Sequence, residues 1–181
     1  MRVTERAHEA VRGVLSAGET AIDATVGNGH DTLFLAECVG PGGMVIGFDV
    51  QEAALEATRR RLCGAGIEAE RVRLVRGGHE EMGREVCRPV AAVMFNLGYL
   101  PGGDHAVTTR AGTTVRALEQ ALGVLRPKGI LSAVCYRGHP GGAAEAAAVC
   151  EWAAGLEAVE LRISGRDESE EGPFLVLVRR P

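Results

Sequence analysis

A pair of glycines at positions 27 and 29 constrains the fold of this chain more than any other feature, because an apolar stretch precedes the pair and an amphipathic stretch follows it. An apolar run before the pair ends in Asp23, and an amphipathic stretch begins near Asp31 just after it. Gly27 and Gly29 permit positive φ and leave no Cβ between the backbone and a ligand. The pattern predicts a strand, a tight ligand-binding loop and a helix whose first N–H groups face the ligand.

The spacing around this loop separates two classes of cofactor. A dinucleotide-binding loop has the form G-x-G-x-x-G, but Thr32 stands where its third glycine would be. The acid Asp23 also precedes the loop. Together these features favour S-adenosylmethionine over NAD.

A second buried strand is predicted over residues 44–49, and it ends in Asp49 about 20 residues after the loop. A carboxylate at this place can accept hydrogen bonds from both ribose hydroxyls. The alternative is that Asp49 caps the helix that follows, and the two roles are compatible. Gln51 would lie at the rim of an adenine pocket, or would simply be a surface residue.

Apolar periodicity predicts alternating strands and helices without a linker. Strands are predicted near 20–24, 44–49, 72–76, 90–96, 129–136, 157–163 and 173–179, and helices near 5–16, 31–39, 51–64, 80–86, 107–125 and 141–154. Gly18 is expected to end the first helix, and residues 126–129 to form a turn. No helix separates the last two strands, which predicts a terminal antiparallel hairpin. The predicted fold is α/β: a Rossmann-like class I methyltransferase domain over residues 1–181, with a seven-stranded, mostly parallel sheet and helices on both faces.

Composition bears on where the protein is located and on whether it contacts membranes. A chain of 181 residues with 46% hydrophobic and 24% charged residues suits one soluble domain. No apolar run approaches the ~20 residues of a membrane span, and the first residues lack the apolar segment of a signal peptide. Five cysteines without a C-x-x-C pair indicate reduced thiols. We therefore expect a cytoplasmic protein that does not contact membranes.

The net charge of −4 limits any contact with nucleic acid to a local patch, because proteins that neutralise many phosphates are usually basic. The densest group of basic side chains is Arg59, Arg60 and Arg61, with Arg71, Arg73 and Arg76 further along. A solvated helix face is the favoured interpretation of this group.

Polar residues collect where the predicted strands end, and ligands of open α/β sheets bind at that edge. His30, His79, His105 and His139 all follow strands, and only His8 lies elsewhere. A metal site is the rival interpretation of these histidines. Since no two of them have a short ligand spacing, we predict no metal.

Residues 96–99 have the N-x-x-Y spacing of methyltransferases that act on amino nitrogens. Transfer to nitrogen needs a lone pair aimed at the sulfonium methyl group within ~3–3.5 Å. The Asn96 carbonyl oxygen can hold an N–H of the substrate while Tyr99 stacks on a planar base. The alternative is that Asn96 ends the strand and Tyr99 packs against the domain.

Three segments, 23–32, 96–104 and 138–142, resemble the YtqB-type family, whose members are labelled rRNA methylases and which includes the MnmM-type tRNA methyltransferases. The resemblance covers essentially the whole chain. It implies methylation of the 5-aminomethyl group of a wobble (2-thio)uridine in the tRNA anticodon loop. One departure is His105, which stands where family members commonly have a lysine after Gly-Gly-Asp, and which would bind RNA phosphate only weakly at neutral pH.

The loop and the resemblance together predict the site residues. For S-adenosylmethionine they are Gly27, Asn28, Gly29, Asp31, Asp49, Gln51, His79 and Glu80. The predicted catalytic residues are Asn96, Tyr99 and His139, and the predicted substrate contacts are Tyr99, Asp104, His105 and His139. The proton released by the amine could pass to His139, His105, Asp104 or water. A homodimer would extend the surface that holds an anticodon stem.

Other classes of function remain open at this stage. An rRNA methyltransferase or a small-molecule amine methyltransferase would use the same cofactor site. A NAD-dependent oxidoreductase would need the third glycine. A non-catalytic partner protein would have no need of Asn96, Tyr99 and His139 together.

Overall fold

Strands and helices alternate along the chain, and this order brings the polar segments to one edge of a sheet. The computed structural model describes residues 1–98, 102, 108–157, 159–164 and 172–181. In chain order the elements are α1 (Val3–Arg12), β1 (Thr20–Asp23), α2 (His30–Val39), β2 (Met44–Asp49), α3 (Glu52–Gly64), β3 (Val72–Arg76), α4 (Met82–Glu85), β4 (Val90–Leu97), α5 (Ala111–Val124), β5 (Leu125–Cys135), α6 (Gly142–Ala154), β6 (Glu160–Ser164) and β7 (Phe174–Arg179). Short 3₁₀ turns over Ala69–Arg71 and His79–Glu81 precede β3 and α4.

The seven strands form one sheet in the order β3-β2-β1-β4-β5-β7-β6. The first five pair in parallel, whereas β7 runs antiparallel to both of its neighbours, β5 and β6. This arrangement confirms the predicted mixed sheet with a terminal antiparallel hairpin. The carboxyl ends of the parallel strands, and the loops after them, lie at a common edge.

Both faces of the sheet are covered, as the uninterrupted apolar strands predict. Successive residues of β4 alternate between the two cores: Val93 and Phe95 face one, and Ala92 and Met94 face the other. One core includes side chains of α1, α2 and α3, and the second includes side chains of α4, α5 and α6. The helices thereby hold the strand ends rigidly beneath the loops.

Three predicted helix boundaries are wrong. The first helix ends at Arg12 with Gly13 as its C-cap, not at Gly18, because glycine is a poor helix residue. After it, Val14 N and Leu15 N donate to the Val11 carbonyl oxygen, and Gly18 N donates to the Val39 carbonyl oxygen of α2. The helix predicted over 80–86 is a 3₁₀ turn followed by the single turn α4. The helix predicted from 107 starts at Ala111, since Arg110 has an extended backbone.

The turn predicted over residues 126–129 is a bulge inside β5. Leu125 pairs with Val90 and Ile130 pairs with Ala92, so four residues of β5 lie opposite one residue of β4. A Cβ on Gly129 would come 2.8 Å from the Arg126 carbonyl oxygen, which explains the glycine at this point. The bulge makes β5 longer than predicted and leaves the register of its carboxyl end unbroken.

Candidate active site

A cavity of about 1070 Å³ opens over the carboxyl ends of the parallel strands, at the upper end of the usual range for ligand sites. Nine of the predicted site residues line it: Gly27, Asn28, Asp31, Asp49, Gln51, His79, Glu80, Asn96 and His139. Gly29 belongs to the same loop without contributing to the lining. Tyr99, Asp104 and His105 lie outside the described residues, so their predicted roles remain predictions.

The glycine loop between β1 and α2 is held by its own backbone and by α3. Gly27 has φ 52° and Gly29 has φ 78°, both in the left-handed region. A Cβ on Gly29 would come within 2.6 Å of Thr58 Oγ1, and that hydroxyl donates to the Gly27 carbonyl oxygen at 3.2 Å. A side chain at position 29 would therefore push the loop away from α3.

Asp49 closes the loop from the side of β2. Its Oδ2 accepts a hydrogen bond from Gly27 N, and its Oδ1 accepts one from Gln51 N, each at 2.9 Å. Gln51 is the N-cap residue of α3, so Asp49 does stabilise the start of that helix. An ionised carboxylate has about four acceptor sites, and two of them remain for hydroxyl groups of a ligand.

The acid that ends β1, Asp23, is fully buried and does not line the cavity. It accepts hydrogen bonds from Thr25 N at 3.1 Å and from Thr32 Oγ1 at 2.6 Å. Burial, together with the nearby charge of Asp31, raises the pKa of Asp23 to about 7. Its role here is to tie the glycine loop to the start of α2.

This raised pKa predicts an unusual dependence of stability on pH. Between about pH 4 and pH 7 the folded state retains a proton on Asp23 that the unfolded state has lost, so stability falls as pH rises. Asp23→Asn preserves a carbonyl acceptor and removes this proton uptake. We expect the variant to be more stable than wild type at pH 8, with the difference shrinking toward pH 4, in urea unfolding across that range. Glu56→Gln, an exposed change on α3, is the control; a constant difference at every pH would contradict the prediction.

The loop after β3 presents His79 and Glu80 to the cavity. His79 is buried and packs edge-on against Phe95 at 5.7 Å between ring centroids. Burial lowers the pKa of His79, so its imidazole is neutral at pH 7. The Glu80 carboxylate folds over Gly78, where a Cβ would overlap it, and Gln120 of α5 donates to the Glu80 carbonyl oxygen.

Asn96, at the end of β4, is oriented by two neighbours. Its backbone N donates to Thr25 Oγ1 at 2.7 Å, and its side-chain Nδ2 donates to Asp31 Oδ2. Asn96 Oδ1 is buried and has no hydrogen-bond partner among the described residues. Buried polar atoms without partners are rare, and this one belongs to a residue that lines the cavity.

His139 is buried beside an acid that the sequence pattern did not single out. His139 Nε2 lies 4.0 Å from Glu145 Oε2, and its Nδ1 lies 3.3 Å from Thr108 Oγ1. Glu145 is 2% exposed and accepts hydrogen bonds from Thr109 and Thr114. An acid within the alanine-rich helix 143–149 is the one sequence feature that could have indicated this partner.

Tyr136 and His8 also line the cavity, although neither was among the predicted site residues. Tyr136, after β5, is 38% exposed, and burial together with the charge of Asp31 raises the pKa of its phenol. His8 of α1, the histidine that does not follow a predicted strand, also lines the cavity.

The arginines at the cavity and the arginines of α3 have different roles. Arg2, Arg110 and Arg137 contribute to the lining. By contrast, Arg61 donates to the Asn28 carbonyl oxygen at 2.7 Å, and Arg59 pairs with Glu52 at 2.9 Å. The arginine cluster of α3 thus stabilises the loop and the helix surface.

The described part of the chain contains neither a cluster of metal ligands nor a helix that could span a membrane. No group of three or more His, Cys, Asp or Glu side chains is placed to hold a metal ion there. None of the helices described is long and apolar enough to span a membrane.

The strand order, the glycine loop after β1, the acid that ends β2 and the cavity above them define a class I S-adenosylmethionine-dependent methyltransferase. Residues 45–178 match the model of the family described as "Putative rRNA methylase". The chain belongs to this family.

Individual relatives agree with this assignment. A protein from Clostridium thermocellum described in the same words superposes with a TM-score of 0.96 at 36% identity, covering 100% of this chain and 98% of that one. A Streptococcus mutans protein described as a methyltransferase, in complex with SAH, has a TM-score of 0.90 at 34% identity, covering 100% and 99%. The chloroplastic tRNA (mnm(5)s(2)U34)-methyltransferase of Arabidopsis thaliana is 42% identical over 86% of this chain, which spans 60% of that protein's length.

Proposed function

We propose that this protein transfers a methyl group from S-adenosylmethionine to an amino nitrogen, that of the 5-aminomethyl group on a wobble (2-thio)uridine of tRNA. The observation on which this depends most is the buried Oδ1 of Asn96, which has no partner in the described part of the chain and belongs to a residue that lines the cavity. A relative named as a tRNA methyltransferase, 42% identical, supports the choice of substrate.

The residues present fit S-adenosylmethionine. Asp49 has acceptor sites left for the ribose hydroxyls, and the loop at Gly27 lets a ligand approach the backbone. We assign Asn28, Gln51, His79 and Glu80 to the rest of the cofactor, since all four line the same cavity. When bound, the cofactor supplies a methyl group already activated on a sulfonium.

The chain's own contribution to the reaction is to position the amine. Asn96 Oδ1 accepts an N–H of the substrate, which turns the nitrogen lone pair toward the methyl group; such alignment accounts for much of the rate in reactions of this kind. An aliphatic amine arrives protonated and must lose that proton before it can act as a nucleophile. His139, held beside Glu145, is the described residue we assign to receive the proton.

Contact with RNA in a protein of net charge −4 must be local, and the arginines at the cavity provide it. Arg2, Arg110 and Arg137 line the opening into which a nucleotide would be extruded. Tyr136 offers an aromatic face on which a base can stack.

Removing one of these arginines should weaken RNA binding without affecting the cofactor. We expect Arg110→Ala to raise the Kd for tRNA severalfold and to lower the slope of log Kd against log salt by about 0.7, since one phosphate contact is lost. Filter binding at several salt concentrations measures both. Arg60→Ala, an exposed arginine of α3 away from the cavity, is the matched control. Equal effects of the two substitutions would contradict the prediction.

Transfer of labelled methyl from S-adenosylmethionine to tRNA that lacks wobble methylation, followed by nucleoside mass analysis, tests the proposed function. A methylaminomethyl product is the expected result. Labelling of rRNA instead would favour the activity in the family description. Labelling of small amines alone would exclude an RNA substrate. The predicted homodimer can be tested on the same preparation by light scattering with and without tRNA, and the predicted cytoplasmic location by cell fractionation.

A further inference from the structure

His8 stands at the far end of a polar chain that reaches Asn96. His8 Nε2 lies 2.7 Å from Asp31 Oδ1, and Asp31 Oδ2 accepts the hydrogen bond from Asn96 Nδ2. The three residues come from α1, α2 and β4, and all of them line the cavity. We propose that His8 and Asp31 are positioning residues that fix the side-chain amide of Asn96 with its oxygen toward the incoming amine, a role that rests on the proposed function.

The direction of each hydrogen bond follows from the chemistry of the groups. An ionised carboxylate only accepts, so His8 Nε2 must be the protonated nitrogen of its ring. For the same reason the NH₂ group of Asn96 must face Asp31, which leaves Oδ1 on the other side. Rotation of the amide by 180° would present a donor to a substrate that itself donates. Asp31 therefore determines whether Asn96 can accept a hydrogen bond from an amine.

His8 is placed rigidly enough to hold Asp31. Its ring stacks on Phe34 with a centroid distance of 3.9 Å and an interplanar angle of 2°. Its neighbours on α1, Ala7 and Val11, are fully buried against the sheet. The side chain of His8 is 28% exposed and that of Asp31 10%, so the contact is partly shielded from water.

The hydrogen bond from His8 stabilises the orientation of the Asp31 carboxylate. Asp31 lies close enough to the buried Asp23 for its charge to raise the pKa of that group. Two neighbouring acids repel each other when both are ionised, and the N–H of His8 offsets this repulsion on the cavity side. Loss of the donor frees Asp31 to turn toward solvent, and the amide of Asn96 then loses its orientation.

Two substitutions separate the hydrogen bond from the ring. His8→Phe retains an aromatic ring against Phe34 but has no donor, whereas His8→Gln retains an N–H near the Nε2 position without the ring. We expect His8→Phe to lower kcat about 10-fold or more, with the Kd for S-adenosylmethionine within twofold of wild type by calorimetry. His8→Gln should recover most of the lost kcat. A His8→Phe enzyme with wild-type kcat, or a Gln variant no better than Phe, would overturn the proposal.

A measurement without substrate distinguishes failure of this proposal from failure of the proposed function. In ¹⁵N-labelled protein, two-bond correlations should show the Nε2-protonated tautomer of His8. The Asn96 NH₂ resonance should shift in His8→Phe and return toward the wild-type position in His8→Gln. If the wild-type protein methylates no amine while these signals behave as expected, the substrate assignment fails and the polar chain stands. If the chemical shift of the Asn96 NH₂ group is unchanged by both substitutions, the proposed coupling from His8 through Asp31 to Asn96 is wrong, whatever the substrate.

Discussion

Asn96→Ala is expected to abolish most methyl transfer while the protein still binds its cofactor. The substitution removes the buried Oδ1 that we assign to the amine, and misalignment of a reacting group by about 1 Å can cost about 10²-fold in rate. We therefore expect kcat to fall by about 10² or more, measured as labelled methyl incorporated into tRNA at saturating S-adenosylmethionine. The Kd for the cofactor, measured by calorimetry, should stay within a fewfold.

Ser132→Ala is the control for this experiment. Ser132 lies on the neighbouring strand β5, has an equally buried oxygen that finds no partner among the residues the structure describes, and does not line the cavity. Its removal should leave kcat unchanged. Turnover of Asn96→Ala within a fewfold of wild type would contradict the assignment of Asn96 and, with it, the significance of the N-x-x-Y spacing.

Asp49→Ala should have the opposite signature: a large loss of cofactor affinity. The carboxylate is assigned two hydroxyl contacts, and it also accepts hydrogen bonds from Gly27 N and Gln51 N that shape the loop. Hydrogen bonds to a charged group contribute about 1.5–3 kcal/mol each, so a Kd about 10²-fold higher is expected by calorimetry. Glu52→Gln removes an adjacent negative charge outside the cavity and should leave the Kd unchanged.

A cofactor analogue without ribose hydroxyls separates contact with the ligand from distortion of the loop. Wild type should bind this analogue much more weakly than S-adenosylmethionine, whereas Asp49→Ala should bind the two alike. If the variant still discriminates as strongly as wild type does, Asp49 only shapes the loop and the ribose assignment is wrong.

The sheet was largely predictable from the sequence. β1 to β4 match their predicted bounds to within one residue at each end. β1, β2 and β4 are mainly apolar runs closed by polar residues, and β3, in which arginines alternate with apolar residues, ends at the glycine pair 77–78. The start of β5 was not predictable in the same way. Residues 126–129 have the composition of a turn, and only the pairing of Leu125 with Val90 shows that the strand continues around them.

Most of the predicted site residues lie at or just after strand ends, whereas two residues that the sequence did not indicate come from the interior of helices. Asp49, His79 and Asn96 stand at strand ends, and topology alone brings them to one cavity. His8 and Glu145 lie inside helical runs, where spacing indicates which face is buried but not which strand end that face meets. Their contacts with Asp31 and His139 depend on how α1 and α6 pack, which a single sequence does not encode in any local pattern.

The position of β7 has a consequence for how such a chain is made. This strand comes last in chain order, yet it lies between β5 and β6, and β6 pairs with no other strand in the described sheet. During synthesis on the ribosome, β5 therefore keeps an open edge and β6 has no place in the sheet until residue 179 is free to pair. An unpaired apolar edge readily recruits strands from other chains. The interval between emergence of β5 and docking of β7 is thus a period in which one apolar edge of the nascent sheet is open to pairing with other chains.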